Sequence, residues 1–212
     1  MPTPRDLYYE KQGNILVSNL KKRHFDAWYC ANRQEALAKA LELIPEGASV
    51  GWGGARSAQE IGLMDALNAG NYRTIDRDRM KTPEEKQQAA RDCLSADVFL
   101  TGANGLSLDG QMVNIDGIGN RLAAICYGPK SIVVIAGMNK VADSLELAIQ
   151  RARTVAAPIN KQRFPGDTPC FVTGSCADCK SEYSICNEIL VTRNCRPAGR
   201  IQFVLVGEEL GF

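Results

Sequence analysis

The amino-acid sequence predicts an α/β fold with a mostly parallel, doubly wound sheet. Short apolar segments alternate with capped helices along nearly the whole chain of 212 residues. Strands separated by helices pair in parallel through right-handed crossovers, which places helices on both faces of the sheet. Apolar residues make up 45% of the chain and charged residues 23%, as in ordinary globular proteins. We therefore expect a single domain over residues 1–212.

The strands are predicted from short runs of β-branched, aromatic and other apolar residues. In chain order these runs are residues 25–30, 48–50, 72–75, 97–101, 131–136 and 201–206. Between residues 106 and 115, two arms of alternating apolar residues flank Asp109 and Gly110. That pair suits the positive φ angles of a tight reverse turn, so the segment predicts a hairpin.

The helices are predicted from capping residues and from apolar residues spaced i, i+3, i+4, i+7. In chain order they cover about residues 4–24, 32–44, 57–67, 82–94, 121–127 and 143–155. Four of them begin with a cap residue followed three residues later by a glutamate. These pairs are Asn32 and Glu35, Ser57 and Glu60, Thr82 and Glu85, and Asp143 and Glu146.

Charge and hydropathy exclude several classes of partner. The 25 lysines and arginines against 24 aspartates and glutamates give a net charge of +1, and no basic stripe is present. Nucleic acid is therefore not an expected partner. The longest apolar stretch, residues 132–136, is too short to span a bilayer, and no signal sequence opens the chain. These features predict a cytoplasmic protein without a membrane span.

Four of the eight cysteines form a cluster with the spacing C-x5-C-x2-C-x6-C. In a reducing compartment, clustered thiols indicate metal binding more often than disulfides. We expect Cys170, Cys176, Cys179 and Cys186 to bind a metal, in a cysteine-rich segment of about residues 165–197. One short pair with two longer outer spacings resembles ferredoxin-type ligation and favours a 4Fe-4S cluster. Zinc held by four thiolates is the alternative.

The other cysteines and the single histidine receive structural assignments. Cys30, Cys93 and Cys126 are interpreted as buried small apolar residues, and Cys195 as a bystander that can substitute for one ligand. Four thiolates close a cluster, whereas three leave one iron open as a Lewis acid. His24 is expected to be a capping or surface group at a helix end, which excludes histidine-rich metal sites.

A glycine-rich turn, residues 51–54, joins a predicted strand to a predicted helix. Open α/β sheets bind anionic ligands at this place, on free backbone amides and a helix N-terminus. Gly51, Gly53 and Gly54 are therefore candidate ligand-binding residues, with a purely structural turn as the alternative. The turn lacks the Lys-Ser/Thr ending of a P-loop, so nucleotide hydrolysis is disfavoured.

A second polar turn follows the predicted hairpin. Asn114, Asp116, Asn120 and Arg121 are candidates for binding a small carboxylate or phosphate, with Arg121 as a bidentate fork. The alternative is a turn stabilised by Asn and Asp side chains.

Two lysines and two carboxylates complete the candidate site. Lys130 and Lys140 lie beside predicted strand ends and are expected to reach the same crevice, although surface lysines are the default. Because the chain has one histidine, a general acid or base would be a carboxylate, lysine or cysteine. Asp116 and Glu60 are the catalytic candidates.

Several motifs together resemble the lactate-utilization (LUD) domain family. In chain order they are GWGG at 51–54, EIGL at 60–63, DVFLTGAN at 97–104, DGQ at 109–111, NIDGIGNR at 114–121, GPK at 128–130, GMNK at 137–140, PCFVTGSCADCKSEYSIC at 169–186 and GEELGF at 207–212. The resemblance covers essentially the whole chain and adds Asn104 to the ligand-binding candidates. The chain departs from the family at Ala55, where a serine is expected, which removes a hydroxyl from that turn.

The resemblance implies fold, pathway and partners. It implies a fold similar to that of the sugar-phosphate isomerase and CoA-transferase superfamily, and a role in oxidation of lactate to pyruvate. It further implies a small anionic metabolite as ligand and iron–sulfur or flavin-linked oxidoreductase subunits as partners; a homo-oligomer is compatible with it. Three hypotheses follow: an electron-transferring or accessory iron–sulfur protein, an enzyme acting on a small carboxylate, sugar phosphate or CoA-like ligand, and a zinc-stabilised interaction module.

Overall fold

A computed structural model describes residues 1–212. It contains ten strands, which we number in chain order. They are β1 (Asp26–Cys30), β2 (Ser49–Trp52), β3 (Arg73–Ile75), β4 (Val98–Thr101), β5 (Gly105–Ser107), β6 (Met112–Asp116), β7 (Ser131–Gly137), β8 (Val141–Ala142), β9 (Glu188–Thr192) and β10 (Ile201–Val206).

Nine α-helices accompany the strands. They are α1 (Pro4–Lys22), α2 (Arg33–Glu42), α3 (Arg56–Glu60), α4 (Leu63–Ala69), α5 (Pro83–Asp92), α6 (Asn120–Tyr127), α7 (Leu145–Arg151), α8 (Ala157–Lys161) and α9 (Pro169–Thr173). None is both long and apolar enough to cross a membrane.

The main sheet confirms the predicted doubly wound fold. Its six strands are all parallel, in the order β1-β10-β7-β4-β2-β3. Side chains of β7 alternate between two cores: Ile132 and Val134 pack with α1 and α6, whereas Val133 and Ile135 pack with α2, α3 and α4. A strand buried on both faces needs apolar residues at every position, as β7 has.

The predicted hairpin belongs to a second sheet that the sequence did not reveal as a whole. β5 and β6 are antiparallel, and Gly110 has a φ of +93° in the turn between them. β8 extends the sheet beside β5, and β9 extends it beside β6. β8 is too short to give a periodic signal, and β9 lies within the cysteine-rich segment, where no strand was expected.

Two predicted helices begin differently from the expectation. Ser57 does not cap a helix; it lies inside α3, and the helix expected over 57–67 is divided by Gly62, whose φ is +80°. Ser144 rather than Asp143 caps α7, since its side chain accepts the amide of Leu147. A π-helical turn over residues 152–156 then connects α7 to α8.

The remaining cysteines and the histidine occupy clear positions. Cys30 and Cys93 are buried as expected, but Cys126 is exposed on α6, so its predicted burial is wrong. The reason is helical periodicity, because Cys126 follows the inward-facing Ile125. Cys195 is buried in the core, where its thiol donates to the Pro197 carbonyl. His24 is exposed and has a φ of +66° just after α1.

Candidate functional site

A cavity of about 440 Å³ lies where strands of the parallel sheet end. Turns that follow β2, β3, β4 and β7 contribute to its lining. Strand order reverses between β2 and β4, since β3 lies on one side of β2 and β4 and β7 lie on the other. Ligands of open α/β sheets bind at such a reversal, beyond the carboxyl ends of the strands. The volume is typical of a small-molecule site.

The predicted glycine-rich turn forms one wall of the cavity. Gly54 has a φ of +58°, and a Cβ atom at this position would lie 2.5 Å from Nη1 of Arg121. Gly53 accepts a hydrogen bond on its carbonyl from Thr101 Oγ1 at 3.0 Å, which ties β2 to β4. Gly51 does not line the cavity. A Cβ on Gly51 would lie 2.5 Å from the Cys93 sulfur, so close packing explains this glycine.

Arg121 is buried beside the glycine turn and is held by several partners. Its Nε donates to Asp116 Oδ1 at 3.2 Å, and its Nη2 donates to Asn104 Oδ1 at 2.8 Å and to the Ile115 carbonyl. Both members of the ion pair with Asp116 are largely hidden from solvent, at 8% and 14% side-chain exposure. Burial lowers the pKa of Arg121, and Asp116 opposes that shift.

Asp116 is fully engaged in positioning Arg121 and its helix. Besides the ion pair, its Oδ2 accepts the backbone amides of Arg121 at 2.9 Å and Leu122 at 3.3 Å. The carboxylate therefore serves as an anion at the start of α6, where unpaired amides and the helix dipole stabilise negative charge. This arrangement assigns Asp116 a positioning role at the cavity wall.

Lys140 closes another part of the cavity and is only 3% exposed. Its Nζ donates to Ser57 Oγ at 3.0 Å, and Ser57 donates to the Leu210 carbonyl at 3.3 Å. Burial lowers the pKa of Lys140 to about 7, and the charges of Arg151 and Arg121 act in the same direction. An ammonium group has three donors, so one hydroxyl partner leaves capacity for a ligand.

Glu60, the second catalytic candidate, fastens the segment after β10 to α3. Its Oε2 accepts the amide of Gly211 at 2.7 Å, and its Oε1 accepts Nε of Arg56 at 3.0 Å. Asn139 Oδ1 holds the same segment by accepting the Leu210 amide at 3.1 Å. Glu60 does not line the cavity, whereas Phe212 at the end of this segment does.

The structure brings most of the predicted ligand-binding residues to one cavity. Those that line it are Gly53, Gly54, Asn104, Asp116, Asn120, Arg121 and Lys140. Asn114 is buried beside it, with Nδ2 donating to the Gly102 carbonyl at 2.9 Å and Oδ1 without a partner. Lys130 is not brought to the cavity. It is exposed before the first residue of β7, at the opposite end of the sheet.

Several basic residues of the cavity were not singled out from the sequence. Arg56, Arg77 and Arg163 line it, and Arg77 and Arg163 have no carboxylate partner. Five basic and three acidic side chains line the cavity in all. Arg151 supports the site from α7 by donating to the carbonyls of Asn104 at 2.6 Å and Asn139 at 3.0 Å. Their positions after strands β2 and β3, on helix α7 and just after helix α8 were the only available signal.

The cysteine-rich segment forms part of the same cavity wall. Ser184 and Ile185 line the cavity, and Cys186 follows them directly. Asn187 fixes this end of the segment, because its Nδ2 donates to the Gly117 carbonyl at 2.9 Å and its amide donates to the Asp116 carbonyl at 2.8 Å. β9 then pairs with β6 from the Asp116–Glu188 partners onward.

The four clustered cysteines are thiols of the kind that ligate metal clusters, within one short segment. All four are free and partly buried, and Cys176 and Cys179 are the only residues between 174 and 180 that are not exposed. Hydroxyl groups lie beside two of the sulfurs, Ser184 at 3.3 Å from Cys186 and Thr168 at 3.6 Å from Cys170. Hydrogen bonds to ligand sulfurs tune a cluster's potential. The structure holds no group of three or more His, Cys, Asp or Glu side chains arranged around a common metal position.

Basic residues adjoin this cysteine cluster. Lys161 is 2% exposed and donates to the Tyr183 carbonyl at 2.9 Å. Arg153 pairs with Asp178, between Cys176 and Cys179. Gln162 Nε2 donates to the Cys170 carbonyl at 2.9 Å.

Comparison with protein families gives one match. The family model of the LUD domain matches residues 14–206. Among solved structures, a DUF162 family protein from Deinococcus radiodurans is similar over 97% of this chain and 99% of its own, with 11% identity and a TM-score of 0.53. This likeness shows a shared fold. No curated protein is significantly similar to the chain in sequence.

Two other solved structures are similar over part of the chain. Ribose 5 phosphate isomerase A from Neisseria gonorrhoeae matches with 20% identity, 53% of this chain, 54% of its own and a TM-score of 0.34. eIF2B delta from Chaetomium thermophilum matches with 12% identity, 66% of this chain, 57% of its own and a TM-score of 0.38. TM-scores of this size do not establish a common architecture.

Proposed function

Since the chain belongs to the LUD domain family, we propose that it is an iron–sulfur protein acting in the utilization of lactate or a similar small hydroxy acid. The cavity at the ends of the parallel strands binds the hydroxy acid or its oxo acid product. Cys170, Cys176, Cys179 and Cys186 hold a 4Fe-4S cluster, which supplies one-electron transfer when bound. Iron–sulfur or flavin-linked oxidoreductase subunits are the partners that such a role requires.

One observation carries this proposal: the cysteine-rich segment and the cavity share a wall. Ser184 and Ile185 line the cavity, and Cys186 is the next residue. A redox centre is useful to a small-molecule site when the two adjoin, and these two are joined by the backbone itself. The contact of Asn187 with Gly117, at 2.9 Å, fixes that junction.

The charge of the cavity supports a small carboxylate as ligand. Arg77 and Arg163 line it without a carboxylate partner, and Lys140 has a hydroxyl as its single hydrogen-bond partner. Cations in a concave site of low solvent access concentrate anions and bind them more strongly than on an open surface. Arg121 presents a guanidinium fixed by Asp116 and Asn104, so it is already oriented before a ligand arrives.

The metal content of protein purified under nitrogen tests the cluster. We expect a brown protein with close to four iron and four sulfide per chain, the content of one 4Fe-4S cluster. Single Cys→Ser variants at 170, 176, 179 and 186 should each lose most of the iron. Cys126→Ser is the matched control, because Cys126 is exposed on α6 and lies outside the segment. A colourless protein that contains zinc and no iron contradicts the proposal and supports the zinc-stabilised module.

Thermal-shift titration tests the ligand. Lactate and pyruvate should raise the melting temperature more than a sugar phosphate or coenzyme A at the same concentration, because binding to the native state stabilises it by mass action. Arg77→Gln should weaken the shift, and because Arg77 has no carboxylate partner the substitution leaves no buried charge unpaired. Arg73→Gln is the control, since Arg73 is exposed at the start of β3 and does not line the cavity. A larger shift with sugar phosphate or coenzyme A would assign the cavity to that ligand class instead.

A further inference from the structure

Lys140 has the surroundings of a reactive amine. It is 3% exposed and lines the cavity. Ser57 Oγ at 3.0 Å is its only hydrogen-bond partner. No carboxylate forms an ion pair with it, and Glu60, whose charge acts on Lys140, binds Gly211 and Arg56 instead. A buried lysine without a paired anion is unusual as a structural element.

Glycine backbone lies close to this amine and to Arg121. A Cβ atom on Gly102 would lie 3.5 Å from Lys140 Nζ and 3.3 Å from the Gly54 carbonyl. A Cβ atom on Gly54 would in turn lie 2.5 Å from Arg121 Nη1. Glycine backbone therefore packs against both buried basic side chains. Arg121 and Lys140 line the same cavity, so one small molecule bound there can place its carboxylate toward the arginines and a second functional group at the amine.

We propose that the Lys140 amine condenses with the carbonyl group of a small 2-oxo acid and forms a Schiff base in the cavity. The inference rests on the proposed function for the class of ligand and adds a covalent step to it. The Nζ lone pair attacks the carbonyl carbon, and a C–N bond replaces the C–O π bond. The nitrogen then loses its protons, the carbonyl oxygen leaves as water, and a C=N bond remains. No oxidant or reductant is consumed.

Electrostatics supply the neutral amine that this step requires. Burial lowers the pKa of Lys140 to about 7, with further contributions from Arg151 and Arg121 and opposition from Glu60. At pH 7 about half of such amines are neutral, against roughly one in three thousand at the ordinary lysine pKa. Desolvation beside other cations is a known route to Schiff-base lysines. Ser57 holds the nitrogen in place and can exchange a proton with it.

Reductive trapping tests the proposal directly. Anaerobically purified protein is incubated with pyruvate and cyanoborohydride near pH 7, and its peptides are mapped by mass spectrometry. We expect one reduced pyruvate adduct on Lys140, at least about ten-fold more abundant than the adduct on exposed Lys22. The reason is that a larger fraction of the Lys140 amine is neutral. Lys161 is a matched internal control, since it is equally buried but donates to Tyr183 and does not line the cavity. It should remain unlabelled.

Two variants and one binding measurement separate the outcomes. Lys140→Arg keeps the charge, and Lys140→Met keeps the length, but neither can form the adduct; Lys22→Arg should label like the wild type. Label spread over exposed lysines, or absent from Lys140, overturns the Schiff base. If pyruvate still shifts the melting temperature in that case, the proposed ligand class survives. If pyruvate produces neither adduct nor shift, both the Schiff base and the proposed ligand fail.

Discussion

The two most buried basic side chains at the cavity differ in how their charge is balanced. Arg121 is paired with Asp116 and bonded to Asn104, so its charge is compensated inside the protein. Lys140 has a hydroxyl partner alone and lies near other cations. The arginine therefore remains charged at any ordinary pH, whereas the lysine can lose its proton near neutrality. The two residues therefore give different predictions for the free energy of unfolding.

Lys140→Met should flatten the dependence of stability on pH. The folded pKa is about 7 and the ordinary value is 10.5, so between them the unfolded chain binds more protons than the folded one. The free energy of unfolding of the wild type must then rise with pH across this interval. The cost of burying the charge is complete below about pH 7 and absent above pH 10.5, and it amounts to about 5 kcal/mol in total.

The measurement compares denaturant unfolding of both proteins from pH 6 to pH 10.5. The groups that face Lys140 are Glu60 on α3, Arg121 on α6 and Arg151 on α7, and all are kept in the variant. As the pH rises, the free energy of unfolding of the wild type should therefore increase relative to that of Lys140→Met. Parallel profiles for the two proteins would contradict a depressed lysine pKa.

Asp116→Ala should destabilise the protein far more than removal of an exposed carboxylate. It leaves the Arg121 charge buried without its partner, which costs roughly 3 to 5 kcal/mol. Glu209→Ala is the control, since the Arg5–Glu209 pair is exposed and worth at most about 1 kcal/mol. Adding Arg121→Met to Asp116→Ala should recover part of the loss. Equal losses for Asp116→Ala and Glu209→Ala in denaturant unfolding would refute a positioning role for this carboxylate.

The cavity is lined mainly by the turns that follow the strands rather than by the strands themselves. β2, β4 and β7 are ordinary buried strands, and what differs is how each chain segment leaves the sheet. After β2 the chain turns through Gly53 and Gly54, which line the cavity, and after β4 it passes through the buried Gly102 before Ala103 and Asn104 reach the cavity. Glycine is required at position 54 for two separate reasons, its positive φ angle and the space taken by Arg121.

A pair of glycine substitutions separates these two reasons. Gly62 and Gly54 both have left-handed φ angles, +80° and +58°, but only Gly54 has a neighbour within reach of a Cβ. Gly62→Ala should cost about 1 kcal/mol, the strain of an alanine at that φ. Gly54→Ala should cost clearly more, since its Cβ meets the Arg121 guanidinium, and should weaken the pyruvate-induced thermal shift. Equal losses of stability with unchanged ligand binding would show that Arg121 adapts freely.

Sequence periodicity predicted the elements whose signal is local and long. All six strands of the parallel sheet were expected, because a strand buried on two faces is an unbroken apolar run, as in β7. The division of one expected helix at Gly62 was not predicted. An isolated glycine is tolerated within helices, and its φ angle is not visible from the sequence. β9 was missed because its burial depends on pairing with β6, which is distant in sequence.

At the scale of the whole molecule, topology assembles residues that no motif connects. Parallel strands send their carboxyl ends to one edge, and the turns after β2 and β4 meet there although 48 positions separate Gly53 from Thr101. That rule made Gly53, Gly54 and Lys140 predictable as one group, whereas Arg121 was predicted from a polar turn and Asn104 from the family resemblance. Arg77 and Arg163 were not predictable, because nothing in their local sequence distinguishes them from surface arginines, and Lys130 lay at the wrong end of its strand.

The junction between the cysteine-rich segment and the cavity has a consequence for binding. Ser184 and Ile185 are wall residues, and Asn187 bonds to Gly117, which adjoins Asp116. Ligation of Cys186 by the proposed cluster would restrain the same short stretch of backbone from its other side. If the cluster has already ordered this wall, a ligand that binds later loses less conformational entropy. Iron–sulfur loading should therefore tighten pyruvate binding.

Linkage makes this prediction testable in both directions. If loading raises pyruvate affinity by some factor, pyruvate must raise cluster affinity by the same factor, typically about 5-fold or more for coupled sites. Calorimetric titration of loaded and chelator-stripped protein gives the first factor, and the rate of iron loss to a chelator with and without pyruvate checks the direction of the second. Asn187→Ala removes the bond to Gly117 but keeps every cysteine, so it should retain iron and lose the coupling. Loaded and stripped protein that bind pyruvate equally would show that the two sites adjoin without communicating, and the shared wall would then be a matter of packing alone.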